Sequence, residues 1–487
     1  MKQILCILLS VLGWTTGMTQ NPYQIKGKVD CENKGIHGVV VSDGKNCVQT
    51  DEQGNYSLDI DNESQFVFIS TPAGYLTEIK ENTIPLFYEP IDRSSDKEYD
   101  FHLKKNPHDD LNHVFFAQAD VQAVSSENLD TYHTFQNDYL EQLAAYPNTD
   151  IFGIDCGDIT GDNAQLFPPY IEAVKTLNIP IYRAIGNHDM DYNGRSFETS
   201  HHSFESYFGP TCYSFNKGKV HYIVINNNFY IGREFYYIGY IDEKTFQWIE
   251  KDLSFLEKGS PLVIVMHIPT RLTEKQQPFQ FDYNTLADQT VNAEAFHQLI
   301  QDHPTHIISG HMHYNLNICY NDRLMEHNTA AICGTWWCSD ICLDGTPRGY
   351  GIYQVNGNQL TWKYKCIGKP DNYQARVYLP GASQEYPQAI IANVWNWDEQ
   401  WKVEWMEDGK VMGEMTQFTA FDPLAEKICN KAVQTYSWIA PVKTNHLFKA
   451  IPKNPQAQIS VKITDRFGHE YLQPAEDFSS TLLQLNK

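Results

Sequence analysis

Hydrophobic and polar positions follow three different rhythms along the chain. Between residues 23 and 103, short segments of strand periodicity (39–42, 56–60 and 66–70) are separated by Ser42-Asp43-Gly44, the polar run 51–55 and Pro72-Ala73-Gly74. Apolar side chains at every second position line one face of a strand, and Gly, Asp, Asn and Pro set the turns between strands. A small all-β sandwich is predicted here, with no titratable cluster suited to catalysis. Residues 104–112, polar and containing Pro107 and two aspartates, read as a linker.

The period then changes. Compact apolar runs at 113–119, 151–155, 181–185, 262–267 and 306–309 alternate with segments of helical spacing at 129–145, 164–177, 245–256 and 293–301. Strands alternating with helices predict an α/β domain whose sheet faces are covered by helices. From 315 to 366 the pattern becomes strands and hairpins, with Asn356-Gly357 as a strong turn between 351–355 and 359–365. A third regime starts near 374. It has candidate strands at 390–394, 402–406 and 459–464, an Asp408-Gly409 turn and a short helix at 423–431. The predicted organisation is an N-terminal β-sandwich over 23–104, a central α/β domain over 112–368 and a C-terminal β-rich domain over 374–487.

Residues 1–19 read as an export signal: Lys2, an apolar run over 4–14, then Thr15, Thr16 and Gly17. A buried first strand and a membrane anchor are the competing readings. The run is too short to span a bilayer, and no later stretch is long and apolar enough to do so. A periplasmic or secreted protein without a transmembrane segment is expected. The formal net charge of −23 repels nucleic-acid phosphates and argues against a duplex partner. It does not exclude a phosphate substrate, because bound divalent cations reverse the local field. Of 11 cysteines, Cys333, Cys338 and Cys342 are near enough in sequence to form a bridge or to be buried thiols. No paired CxxC pattern suggests structural zinc.

The chemistry-bearing residues fall at the ends of predicted strands: Asp120-Val121-Gln122, Gly157-Asp158 with Asp162 beyond it, Gly186-Asn187-His188-Asp189, His267, and Gly310-His311-Met312-His313. Carboxyl ends of strands in an α/β sheet line one crevice, so groups far apart in sequence can converge there. Carboxylate and amide oxygens mixed with imidazoles suit Mn, Fe or Zn rather than calcium.

These five blocks, in this order over 120–313, resemble the calcineurin-like metallophosphoesterases. The resemblance implies a metallophosphoesterase-type β-sandwich core flanked by helices, and two divalent metal ions. Asp120, Gln122, Asp158 and His313 would hold one ion. Asp158, Asn187, His267 and His311 would hold the other, with Asp158 bridging. A hydroxide shared by the pair would attack the phosphorus. His188 would donate to the leaving oxygen, oriented by Asp189 or Asp162. Two departures stand out. Gln122 replaces the usual His and is either a weak ligand or an amide that only steadies one. Asp162 sits one residue later than the usual second acid and competes with a reading as a helix N-cap.

Around the blocks, His201 and His202 are expected in a solvated loop, with the site as the alternative. The segment Asn226–Asn228 belongs to the rim or to a turn. Trp336 and Trp337, in Gly334-Thr335-Trp336-Trp337, are either core or a stacking wall, and Trp336 is the candidate substrate contact. Trp395, Trp397, Trp401 and Trp405 are assigned to packing, as are His303 and His306. The run Asp344-Gly345-Thr346-Pro347-Arg348-Gly349-Tyr350-Gly351, with 334–337, resembles an exported branch of the family with a leading β-sandwich and a trailing β-rich domain. Arg348 is a candidate phosphate contact or a surface ion pair.

The expected function is an exported dinuclear phosphoesterase acting on a small-molecule or glycan phosphate ester. The scarcity of Arg and Lys near the blocks favours a phosphodiester. A monoesterase on phosphorylated sugars or nucleotides, and a non-catalytic glycan-binding protein, are the alternatives. Nothing in the sequence bears on oligomeric state.

Overall fold

A computed structural model describes residues 23–233, 236–275, 280–454 and 456–476. The predicted export signal over 1–19 lies outside the described residues. Among those described, no helix is long and apolar enough to cross a membrane.

The leading unit is two small sheets face to face. One is built on Tyr23–Cys31, paired with Asn55–Ile60, Phe101–Lys105 and Lys34–Gly35; the other runs Tyr88–Pro90, Phe66–Ile69, Val40–Ser42, Cys47–Gln49. Asn55–Ile60 alternates exposed and buried residues throughout, the period-two pattern that predicted it. The sandwich is joined to the central unit by direct contact: the Ser214 hydroxyl donates to Ser70 at 3.0 Å, and Phe68 packs edge-on to Trp248 at 6.1 Å.

The central unit is also a pair of facing sheets. The first runs Ile181–Arg183, Asp150–Asp155, Asn112–Gln118, Gly349–Asn356, Gln359–Cys366, its first three strands parallel and its last two antiparallel. The second runs Tyr213–Lys217, Val220–Val224, Leu262–Val265, Thr305–Ser309, Leu324–Asn328, Leu316–Asn321. Its four middle strands are parallel. Aromatic rings fill the space between the sheets. Tyr182 stacks on Phe215 at 3.7 Å, and Phe115 and Phe152 meet Tyr222 edge-on at 5.7 and 5.3 Å. Helices Ser126–Ala144 and Phe167–Val174 cover the outer face of the first sheet, and Glu243–Leu253 and Ala293–Ile300 cover the second. Ser125 and Asp242 cap two of them, accepting from the backbone N–H of Asn128 and Thr245.

Two local outcomes differ from the sequence pattern. The helix expected over 164–177 is split into a 3₁₀ turn Ala164–Leu166, the α-helix Phe167–Val174 and a second 3₁₀ turn. Pro168 and Pro169 have no N–H to donate, so they start a helix rather than continue one. The hairpin Asn228–Gly232 with Tyr236–Gly239, bulged between Tyr230 and Gly232, carries apolar residues without strict alternation and has no counterpart among the predicted elements.

The trailing unit is an eight-stranded sheet in the order Lys410–Glu414, Lys402–Glu407, Ile459–Thr464, Glu470–Glu476, Arg376–Tyr378, Ile390–Asn393, Lys443–Ala450, Thr416–Phe421. Helix Pro423–Ala432, capped by Asp422, lies against it. Trp401 and Trp405 pack in its core, and Trp395 in a neighbouring cluster. Its loops grip the central unit: Arg376 Nη1 donates to the Gly345 carbonyl at 3.0 Å, and the Val442 N–H donates to Leu343 O at 3.1 Å.

Candidate metal centre

The strand Asn112–Gln118 is followed by Ala119, and the chain then turns sharply so that Asp120 and Gln122 adopt φ of +54° and +40°. Asp158 (+52°), Asp162 (+61°), His311 (+72°) and His313 (+55°) occupy the same left-handed region. L-residues pay strain there, and it is concentrated at the carboxyl ends of the strands. The glycines that precede these residues are explained by close approach. A Cβ on Gly186 would lie 2.1 Å from the Asp158 N, and one on Gly310 would lie 2.9 Å from an Asp120 carboxylate oxygen.

Four donor groups converge. His267 Nδ1 is 2.9 Å from the Cys156 carbonyl, so it donates there and turns Nε2 inward, the atom a metal would take in place of a proton. That Nε2 lies 3.0 Å from Asn187 Oδ1, 3.2 Å from Asp158 Oδ2 and 3.2 Å from His311 Nδ1. Asp158, His267 and His311 are the group of His and acidic residues among the described ones whose ligand atoms all lie within 4.8 Å of one another. An amide oxygen, a carboxylate oxygen and two imidazole nitrogens, all lone-pair donors aimed at one point, are better satisfied together by a cation than by protons. The residues therefore fit a divalent metal.

The neighbouring set is looser. Asp120 Oδ1 is 3.6 Å from His313 Nε2, and both Asp120 oxygens accept the His311 N–H. The Gln122 backbone N–H donates to Asp158 O at 2.7 Å, so the two loops are tied. Gln122 Oε1 and His313 Nδ1 both approach the Cys333 thiol, at 3.9 and 3.7 Å. Cys333 is buried, the buried-thiol alternative of the sequence reading rather than a bridge with Cys338 or Cys342. All three are free thiols.

His188 stands at the edge of the cluster with a third of its side chain exposed, and its Nδ1 is 2.8 Å from Asp162 Oδ1. Asp162 is the carboxylate that faces His188. Asp189 instead points into the protein and accepts the backbone N–H groups of Ile159, Thr160 and Gly186 at 3.1, 2.9 and 3.0 Å. It fixes the turn that carries Asn187 and His188, not the imidazole itself. The extra residue before Asp162 is absorbed by its left-handed conformation, which bends the loop back so that its N–H meets His188 O at 3.1 Å.

Electrostatics follow from burial and from the neighbours. Burial pushes the Asp120 carboxyl up to about 8, against the pull of His267. Burial would also raise Asp158, but His267 and His188 hold it well below the carboxylate range. Burial disfavours the cations of His267 and His188, yet the Asp158 carboxylate outweighs it, and both are lifted to about 9, His188 with help from Asp162. Burial lowers His313 to about 3 and holds His311 well below its ordinary value.

Several flanking candidates take other positions. The Arg348 guanidinium lies over the Phe135 and Trp337 rings, at 5.2 and 5.5 Å, and donates to Ser339 O. It is half-buried against these rings rather than part of a surface ion pair. Trp336 lies flat on the His313 ring at 4.2 Å, and Trp337 donates its indole N–H to Val121 O at 3.1 Å. His201 pairs with Glu205 at 3.1 Å. Asn226, Asn227 and Asn228 are fully buried braces; Asn228 donates to Ile185 O at 2.8 Å and Asn227 to Ile268 O at 2.6 Å, holding the turns that carry Asn187 and His267. Tyr192, absent from the sequence reading, donates its hydroxyl to Asn187 O at 2.9 Å.

Three family descriptions match the chain: the N terminal of calcineurin-like phosphoesterase over 23–106, calcineurin-like phosphoesterase over 100–315, and the C terminal of calcineurin-like phosphoesterase over 326–471. No curated protein matches. Among solved structures, a dimetal phosphatase from Danio rerio is similar at 13% identity, over 53% of this chain and 97% of that one, with a TM-score of 0.39. A purple acid phosphatase from yellow lupin (Lupinus luteus) seeds is similar at 13% identity, over 69% and 68%, with a TM-score of 0.40. A 5'-nucleotidase from Candida albicans is similar at 11% identity, over 54% and 52%, with a TM-score of 0.30.

Proposed function

The chain belongs to the calcineurin-like phosphoesterase family and is a metal-dependent phosphoester hydrolase, and from that premise we propose that it is an exported dinuclear enzyme cleaving phosphodiesters. The observation that carries the reading is the convergence of Asp158, Asn187, His267 and His311 beside Asp120 and His313, with His188 at the edge of the same cluster. Asp120, Gln122, Asp158 and His313 would hold one cation, and Asp158, Asn187, His267 and His311 the other. The mixed oxygen and nitrogen set suits Mn, Fe or Zn. When bound, such a pair supplies Lewis acidity toward phosphoryl oxygens and makes hydroxide available near neutral pH.

The chain's own residues do the rest. The Cys156 carbonyl and the Asp189 carboxylate hold His267 and the Asn187-His188 turn in place. His188, with Nδ1 engaged by Asp162, keeps Nε2 as the proton-bearing atom for the leaving oxygen. The strongest charge influences on Asp158, His188, His267, His311 and His313 come from this cluster alone and from no Lys or Arg. A phosphate with one negative charge, as in a diester, needs less cationic help than a dianionic monoester. The proposed units, 23–104, 112–368 and 374–487, make the catalytic domain the middle of three, preceded by an export signal over 1–19.

The test is a panel of nitrophenyl monoester, nitrophenyl diester, nucleotides and phosphorylated sugars, with Mn, Zn and Fe added separately to the full chain. Diester hydrolysis that exceeds monoester hydrolysis is expected. The reverse order makes the enzyme a phosphomonoesterase, and no turnover with any metal removes the proposal.

A further inference from the structure

We propose that the crevice has an aromatic rim that selects phosphate esters carrying a flat, π-rich ring on one arm, of the nucleoside or aryl kind. This rests on the phosphoesterase reading and gives its site a substrate class.

The rim is built on two sides. On one, Tyr237 meets the His311 ring edge-on at 6.1 Å and Tyr283 at 6.3 Å, and Tyr192 meets Tyr236 at 5.5 Å. Tyr192 is fixed to the centre by its hydroxyl on Asn187 O, and the Tyr230 hydroxyl donates to Tyr192 O at 2.8 Å. On the other side, the Trp336 ring covers His313. Rings thus stand next to ligands assigned to both metal positions.

Packing accounts for part of this set only. Tyr237 is 8% exposed and belongs to the core, but Tyr236 is 52% and Tyr283 45% exposed. Both of these rings are therefore open to water and within reach of a ligand. Tyr236 and Trp336 are also held at φ of +55° and +44°, which costs free energy for bulky residues. Tyr236, strained and exposed, and Trp336, strained and half-buried against His313, point to a ligand that repays the strain. Stacking recognises the π-face of any flat ring.

The experiment uses the full chain loaded with Mn and two substrates that differ only in the base, the methyl ester of thymidine monophosphate and the methyl ester of deoxyribose phosphate, followed by phosphorus NMR. The thymidine ester is expected to have a kcat/KM about tenfold higher, the usual scale for stacking one ring, with the difference in KM. A Tyr236→Ala/Tyr283→Ala variant should bring that ratio near one, and Tyr236→Phe/Tyr283→Phe should restore it, since the faces and not the hydroxyls make the contact. Calorimetry with thymidine monophosphate and deoxyribose phosphate reads the same preference without turnover. Equal affinities there, a ratio near one in the native protein, or a ratio that survives the alanine pair overturns the rim. If nitrophenyl esters also fail to turn over, the phosphoesterase reading falls, and the calorimetric preference still decides the rim by itself.

Discussion

Two buried clusters in this molecule use the same three residue types. At the crevice, Asp158, Asn187, His267 and His311 crowd around one point. At the junction with the trailing sheet, Asp344, Asn393 and His446 are equally buried. There every lone pair has its own partner. His446 Nδ1 is 2.7 Å from Asn393 Oδ1 and its Nε2 is 3.0 Å from Asp344 Oδ2, while Asp344 also accepts from Asn315 N and Thr346. None of the three is left-handed, whereas Asp158 and His311 are. Composition does not distinguish a fastener from a metal site. Convergence of lone pairs on one point, held there by strained backbone, does.

The comparison breaks most sharply on Asp158→Asn. This variant should lose both metals and fall to background turnover, checked by elemental analysis beside a nitrophenyl ester assay. The matched Asp344→Ala should keep its metals but lose about 3 kcal/mol of stability, because His446 and the Asn315 N–H are left buried without an acceptor; a urea titration measures it. Full metal content in Asp158→Asn would end the bridging role.

His188→Ala should cut turnover about a hundredfold, the scale for a lost general acid, with metal content unchanged. Asp162→Asn should cost about tenfold, and Asp189→Asn should instead lower stability, since its partners are three backbone N–H groups. Equal kinetic losses in the two acid variants would undo the distinction drawn between them.

The smallest effect concerns imidazoles far from the crevice. Burial holds His113, His297 and His306 each down at about 4. These groups take up a proton on unfolding between about pH 4 and the ordinary 6.5. Stability is therefore full above about 6.5 and falls as pH drops toward 4. His113→Gln should flatten that slope, read from urea midpoints at several pH values.

The strand and turn pattern made much of the centre legible. Asp158, Asn187 and His311 each follow a glycine whose missing Cβ is what lets two loops touch, and a glycine before a polar residue at a strand end is visible in any sequence. The choice between Asp162 and Asp189 was not visible, because it depends on a left-handed residue that reverses the loop. The setting of Arg348 was hidden for a related reason: its ring partners, Phe135 and Trp337, are set by tertiary packing and have no sequence spacing to it. Cys333 and Tyr192 reach the centre through a loop and through backbone contacts that no periodicity encodes. The bulge at Tyr230 disguised the hairpin that bears Tyr236 and Tyr237.

The loop from Ile332 to Arg348 is fastened at both margins. Ile332 and Cys333 donate to Ala119 O and Asp120 O at 3.0 Å each, Leu343 donates to His313 O at 3.2 Å, and the trailing sheet clasps Leu343 and Gly345 from behind. The catalytic segment is therefore not a detachable cassette. Excised at the predicted boundary, it would keep every metal donor and lose the buttress that seats two of them, so the trailing sheet counts as a working part of the enzyme.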